Sequence, residues 1–456
     1  MRTFLDKICP HSGQCVSFGL ETEKLRRYFQ DYDWSLVDKK SVKKIGSDSD
    51  NGFVFEVPFV KDNYKVYTIL KSTKDKDADN LFYEALVGLY VNKKNYVFPC
   101  FLETYGLYQW PDINFHKKAI QFSEGKVTNT VLELDKLVPK KLSYNAFFND
   151  PVFANSTCTN SLFGSVLIQH IHKADTLEYY YIKYRKDKTF FTLILPQILY
   201  QTYAPLAMLS DEFTHYDLHA NNVILYKIGS ESKNANGPQQ YITMNYHYPN
   251  GDVVTFNTHF IAKIIDYGRS YFKENETYNS SNYYQTLTES IKNAPPEKEK
   301  GEYLKKKKKG ECANESYSLL MDETTPGSFH YISANKRNKS HDLRLAAYIA
   351  EHRDDNYLGT PVEQNLRIIL SCIKYEGRFG TKEVAESSYT GLARLNPGES
   401  IRNVEDMHLA MKDLIMTTPH FKQMDGLYSK SKDYKKMGEM HVWMDGSRSL
   451  QYTAEG

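Results

Sequence analysis

The feature that most constrains this chain is an uncharged run of 20 residues, Phe190–Leu209, with a dense polar cluster a few residues behind it. The cluster reads His215-Tyr216-Asp217-Leu218-His219-Ala220-Asn221-Asn222, and the β-rich run Val223-Ile224-Leu225-Tyr226 leads out of it. A segment that apolar must leave water, so it anchors the polar loop from one side while the strand anchors it from the other. About 20 apolar residues would also reach across a bilayer. Pro196, Pro205, Gln197, Gln201 and two threonines argue against that, as does the missing basic flank on one side. The run reads as a buried helix of a soluble core, with no membrane partner.

A second polar cluster ends a strand. Lys263-Ile264-Ile265-Asp266-Tyr267-Gly268-Arg269 puts an acid at the exit of the β-rich run Phe260–Ile265, and Gly268 lets the chain turn sharply behind it. A carboxylate there suits magnesium, which takes hard oxygen ligands, keeps several waters and needs few protein carboxylates. Asp217 and Asn222 complement it. The Asp can accept or orient a hydroxyl proton, and the Asn amide oxygen can bind the same ion. Phosphoryl transfer needs a triphosphate held, its charge neutralised by metal and an attacking hydroxyl oriented.

Two further pieces lie upstream. Lys71 leaves the run Val66–Leu70 where it can reach phosphate oxygens, and Glu84, on a helix expected at Asp77–Asn92, can hold that lysine in place. The turn-rich loop Gly46–Gly52, followed by Val54, offers backbone N–H groups able to cover phosphates. A lone Lys–Glu pair is most often a surface contact, and a Ser/Asp/Gly loop is most often just a turn. The reading rests on the order of loop, Lys, Glu, HxDxxxxN and DYG, each on the kind of element the chemistry requires.

With these residues in view, the chain resembles the protein-kinase-like superfamily, and within it the divergent kinase-like proteins of large nucleocytoplasmic DNA viruses. The resemblance covers about residues 41–350. It rests on Ile45-Gly46-Ser47 with Asn51-Gly52, Tyr83–Gly88, His215–Asn222, Ile264–Ser270 and Asn338-Lys339-Ser340-His341-Asp342-Leu343-Arg344-Leu345. It implies a bilobal α+β fold with a sheet-rich N-lobe at 41–171 and a helical C-lobe at 172–456, with ATP between them. It also implies that Val166–Ile171 grips adenine, with Gln169 and Ile171 in the hinge, and that Asp342 braces the catalytic loop through backbone contacts. In that frame Asp217 is the base, Asn222 and Asp266 bind Mg²⁺, Lys71 holds phosphates, Glu84 orients Lys71, and Gly46, Gly52 and Val54 belong to the covering loop.

The expected activity is ATP- and Mg-dependent phosphoryl transfer to a protein Ser/Thr hydroxyl, which makes a protein substrate the expected partner. Two alternatives stay open: a pseudokinase that binds or scaffolds without turnover, and a small-molecule kinase of the aminoglycoside-phosphotransferase type. Several positions depart from the family pattern. Ser47 or Asp48 replaces a loop glycine, Tyr216 replaces the arginine before the catalytic Asp, and Tyr267 replaces the magnesium-loop Phe. His219 stands where Ser/Thr kinases carry Lys, as a loop brace or a phosphate contact. The Ala-Pro-Glu-like stretch Ala294–Glu297 lies too far ahead of Asp342 to serve.

The rest of the chain is organised around these motifs. Residues 1–40 form an extension with a helical pattern near Glu21–Gln30. Residues 110–159 look like an insertion, as do 229–259, where Asn250-Gly251 signals a hairpin. Residues 269–339 form a long polar, activation-type segment with the lysine run Lys305–Lys309, and a helical end follows from His341. A net charge of +2, from 58 basic and 56 acidic residues, does not suggest a dedicated nucleic-acid binder. The six cysteines form no CxxC pair, and Cys9, His11 and Cys15 lack a fourth metal ligand. Reduced thiols, and an N-terminus without an apolar signal region, lead us to expect a cytoplasmic protein, in host cytoplasm or virion if viral.

Overall fold

The computed structural model describes residues 15–30, 34–45, 52–61, 64–73, 81–109, 164–171, 174–228, 238–276, 278–280, 336–352, 359–375, 382–395 and 401–454, together with Lys117, Lys140 and Lys141. Gly46 and the loop 46–51, nearly all of 110–159, and residues 281–335 with the lysine run lie outside them, as do Cys9 and His11.

The described fold is mixed α+β. A six-stranded sheet runs β1-β2-β3-β6-β4-β5 with every neighbouring pair antiparallel. Its strands are β1 Lys43–Lys44, β2 Gly52–Lys61, β3 Tyr64–Thr73, β4 Thr104–Gln109, β5 Lys140–Lys141 and β6 Gly164–Gln169. Side chains alternate across a strand, and in β2 Phe53, Phe55, Val57 and Phe59 are buried in one cluster. Helix α1, Glu21–Gln30, covers that cluster with Leu25 and Phe29, the latter stacked on Tyr105 at a ring-centroid distance of 4.5 Å. Burying such a side chain is worth about 1.5–3 kcal/mol. Helix α1 of the extension, for which the sequence offered no role, is therefore part of the sheet's core. On β2 and β3, Val54, Glu56, Ile69 and Lys71 face a cleft instead.

The segment ahead of α1 is tied to β6 and to residues near 450. Gln169 Nε2 donates to the Cys15 carbonyl at 3.1 Å, and the Phe18 ring packs on Tyr452 at 5.8 Å. Gly19 adopts φ +58°, and a Cβ there would stand 2.0 Å from the Leu450 carbonyl oxygen, so only glycine fits. Cys15 is disulfide-bonded, to a residue outside those described, whereas Cys100 and Cys372 are free and buried. This corrects the expectation of uniformly reduced thiols, because the spacing of cysteines in the sequence does not show which of them are bonded.

Helix α2, Leu81–Lys94, lies against β4 and β6. The run Phe190–Leu209 forms one π-helical stretch, Phe190–Ile194, continuing into helix α4, Leu195–Met208, after the short helix α3, Leu177–Tyr184. The polar residues inside the run serve a purpose the sequence hid. Gln197 Nε2 donates to the Asn257 carbonyl at 2.8 Å, and Gln201 both donates to the Phe260 carbonyl and accepts from Ala262 N–H, each at 3.0 Å. These amides lock the helix to the strands that carry the second polar cluster. Among the described residues no helix is long and apolar enough to cross a membrane.

A three-stranded sheet joins β7 Asp175–Thr176, β9 Val223–Lys227 and β12 Phe260–Ile264, antiparallel throughout. The short strands β8 Phe213–Thr214 and β13 Tyr271–Phe272 form another pair. The expected hairpin is present as β10 Gln239–His247 and β11 Val253–Thr258, with Gly251 at φ +87° in its turn. It is not a free excursion, because β10 pairs in parallel with β14 Tyr434–Trp443, which pairs in turn with β15 Gln451–Ala454. The helical end expected from His341 onward is therefore only partly helical. Helices α5 Arg344–Glu351, α6 Pro361–Ser371, α7 Val404–Thr417, α8 Pro419–Asp425 and α9 Leu427–Lys430 are followed by those two strands.

Candidate functional site

The antiparallel pairing of β9 and β12 sets Ile264 opposite Val223, and Ile265 N–H donates to the Asn222 carbonyl at 3.0 Å. Two polar clusters 44 positions apart in the chain, at Asn222 and Asp266, are thereby brought side by side. They face a cavity of about 730 Å³ roofed by the six-stranded sheet. Val54, Lys71, Glu84, Gln169, Ile171, Asn222 and Asp266 all line it. Gly52 opens β2 opposite Thr73, and Gly46 lies outside the described residues.

Lys71 is the hub. Its Nζ lies 2.6 Å from Glu84 Oε2 and 3.0 Å from Asp266 Oδ1. Glu84 is buried in the first turn of α2, so the helix faces its acid inward, as its expected role requires. The Lys71 ammonium is the largest influence on Asp266 and holds its carboxyl below the usual range, against burial and the charge of Asp217. Asp266 adopts φ +66°, a left-handed conformation uncommon outside glycine that turns its carboxylate out of the strand. Tyr267 fills the position behind it. Its hydroxyl donates to the Ile264 carbonyl at 2.6 Å and accepts from Leu102 N–H at 2.9 Å. The phenol therefore has partners that a phenylalanine could not use.

The loop bearing Asp217 is braced from below. Asp342, fully buried, accepts backbone N–H from His215 at 2.7 Å and Tyr216 at 2.9 Å, the backbone contacts expected of it. Burial pushes its carboxyl up to about 7, against those two donors. His215 Nε2 bonds the Ile265 carbonyl at 2.9 Å, and burial draws the ring down to about 4, so it is neutral and donates. Asn222 Nδ2 donates to the Asp217 carbonyl at 2.8 Å, which leaves the Asn222 amide oxygen for the cleft. His219 Nδ1 accepts Asn221 N–H at 3.2 Å, a brace of the loop itself, and its Nε2 lies 3.8 Å from Asp217 Oδ1.

The sequence reading missed two cations. Arg344 Nη1 donates to Asp217 Oδ1 at 2.5 Å, and Arg269 Nε lies 3.9 Å from Asp217 Oδ2. Burial alone would raise the Asp217 carboxyl, but Arg344, then His219 and Arg269, outweigh it and hold it well below the ordinary range. Both arginines lay inside stretches singled out as motifs. The missing signal was pairing across 127 positions, which spacing cannot supply.

Chemically, the cleft offers an ammonium and a carboxylate at its roof. At its floor it offers two oxygen donors, Asp266 carboxylate and Asn222 amide; Asp217 does not line the cavity and is tied to Asn222 through its own carbonyl. Hard oxygens in that number fit a divalent cation carried in with an anionic ligand. No cluster of three or more His, Cys, Asp or Glu side chains able to hold a metal occurs among the described residues. Compared with known proteins, the chain matches no family model and no curated protein.

Proposed function

We propose that this chain is an ATP- and Mg-dependent phosphotransferase of bilobal, protein-kinase-like architecture that phosphorylates a protein Ser/Thr hydroxyl. The observation that carries the reading is the convergence of Lys71, Glu84, Asn222 and Asp266 on one cleft, with Asp217 joined to Asn222 through its backbone carbonyl. In this reading the six-stranded sheet is the small lobe, and the helices and sheets beyond Asp175 form the large one. Nucleotide enters between them, against Val54, Ile69 and Ile171. The amide of Gln169 is turned to the Cys15 carbonyl, so the hinge contact falls to backbone groups and not to that side chain.

Mg²⁺ would be held by Asn222 and Asp266, where it supplies charge neutralisation between the phosphates. Lys71, kept in place by Glu84, binds phosphate oxygens. Asp217 orients the acceptor hydroxyl and takes its proton. The acceptor oxygen bonds to the γ-phosphorus as the bond to the β-γ bridging oxygen breaks, and ADP leaves with that electron pair. Such a transition state asks the protein for position and charge more than for covalent chemistry.

The test is transfer of radiolabelled γ-phosphate from ATP to generic protein acceptors, run beside Asp217→Ala. Mg-dependent labelling that the variant lacks is the expected result. Nucleotide binding without any labelling would instead make the chain a nucleotide-binding scaffold.

A further inference from the structure

The acceptor side of the cleft is more cationic than orienting a neutral hydroxyl requires. One carboxylate, Asp217, is met by two guanidiniums, those of Arg344 and Arg269. Of the other acids nearby, Asp342 spends its oxygens on backbone N–H groups and Asp266 pairs with Lys71. A guanidinium carries five N–H donors in a rigid fork that matches carboxylate and phosphate oxygens. Among the described residues, Arg344 engages a single side chain, Asp217, through Nη1. Its side chain keeps 16% exposure, so donors remain that an incoming group can reach. Arg344 also stands on a rigid mount at the first position of α5, two residues after the Asp342 brace.

We propose that Arg344 is the acceptor-recognition residue of the site, and that the substrate is an acidic peptide segment with a carboxylate or phosphate beside the hydroxyl residue. This rests on the phosphotransferase reading above. The acceptor's anion takes the free donors of Arg344 and draws the guanidinium partly off Asp217 Oδ1. That oxygen is then available to the hydroxyl proton, so acceptor binding and readiness of the base are coupled. A neutral or basic segment leaves Arg344 on Asp217 and meets a surplus of positive charge, so the same residue discriminates against it.

The closing experiment needs no turnover. Two fluorescein-labelled peptides, each with Ala in place of the acceptor Ser and flanked by Glu or by Gln, are titrated with the full chain in ADP and Mg²⁺, read by anisotropy. The wild-type protein is expected to bind the Glu peptide at least about tenfold tighter. R344Q should lose that preference and R344K should regain part of it, since Lys keeps the charge but not the fork. Thermal melting and ADP binding check that each variant is folded. Inorganic phosphate, added as competitor, separates an anion pocket from a peptide-specific one: displacement of the Glu peptide at millimolar phosphate supports the shared chemistry. Equal binding of the two peptides, no binding of either, or a preference that survives R344Q overturns the proposal. The transfer assay with Asp217→Ala is scored separately. An acidic preference without labelling sinks the enzyme reading and leaves the anion site standing.

Discussion

Lys71 Nζ lies 2.6 Å from Glu84 Oε2, a contact that joins a strand of the six-stranded sheet to the first turn of the helix behind it. The same ammonium reaches Asp266 at 3.0 Å, so one side chain ties roof to floor. Lys71→Met should remove most phosphoryl transfer, by about 10²–10³-fold as for other single groups that stabilise developing charge. It should also destabilise the fold by about 1–3 kcal/mol, because Glu84 is left buried without its cation. Adding Glu84→Gln to Lys71→Met should then restore part of the melting temperature while leaving transfer lost. A double variant no more stable than Lys71→Met would mean that the pair does not hold Glu84 in the core.

Asp266→Asn should abolish Mg-dependent turnover while the fold persists. The amide keeps the shape that φ +66° demands, and Asn tolerates that left-handed conformation well. What is lost is the charge that Lys71 now holds in ionised form. We expect transfer to fall by at least about 10²-fold, measured across a magnesium titration beside the far-ultraviolet spectrum. Near-normal rates would refute the metal assignment.

Much of the site was legible in the sequence because its groups are local. Asp217 and Asn222 share one loop, Asp266 ends one strand, and Lys71 and Glu84 lie 13 positions apart on successive elements. The cations on Asp217 were not legible, since Arg344 arrives from a helix far along the chain. The fold shows the same split. The β-rich run Phe53–Val57 lies within β2, whereas β14 interleaves Lys435, Lys436 and Glu439 with Gly438, Met440 and Val442. Only the last three of these are buried, a period of two carried by few apolar residues and easily taken for a loop. The core role of residues 15–30 depends on Phe29 meeting Tyr105, a contact that no local pattern encodes.

The contribution of the buried histidines to stability should fall as pH drops through their range, opposed by Asp342, whose raised carboxyl gains a proton there on folding. His408, buried on α7, bonds the Tyr248 hydroxyl through Nε2 at 2.7 Å, and burial, aided by Lys412, pulls it from 6.5 down to about 3. The unfolded chain takes up a proton near 6.5 and the folded chain resists until about 3, so the contribution is intact above the first value and declines toward the second. His215, drawn down to about 4, acts in the same direction. Each histidine adds a slope of roughly 1 kcal/mol per pH unit inside its window. Between pH 7 and pH 5 the urea midpoint of His408→Leu, whatever its value at pH 7, should fall less, or rise more, than that of the wild type. An unchanged difference in that variant would remove His408 from the account.

Turnover should not require phosphorylation of the polar segment 270–339. In protein-kinase-like chains the residue before the catalytic Asp can be an arginine that reads a phosphorylated loop; here it is Tyr216. Its side chain is fully buried, its ring lies 4.8 Å from that of His341, and its hydroxyl donates to the Lys336 carbonyl at 2.5 Å. The backbone at φ 61° is held by the Asp342 carboxylate. A phosphate brings about −1.5 to −2 charges and orders a loop by pairing with Arg. Tyr216 has no charge to offer, and its one polar atom already fixes the C-terminal end of the segment at Lys336. The next two cations along the chain are committed elsewhere: Arg337 pairs with Glu383 and Asp211, and Lys339 with Glu405 and Asp211. Bacterially expressed protein treated with phosphatase should keep its ATP-dependent activity, with mass spectrometry confirming that 270–339 is unmodified. A loss of more than about tenfold, equal to about 1.4 kcal/mol in the barrier, that is reversed on rephosphorylation would show that another basic group reads the segment. Arg337→Gln would then be the first variant to examine, since releasing Glu383 and Asp211 is the least that such a reader would have to do.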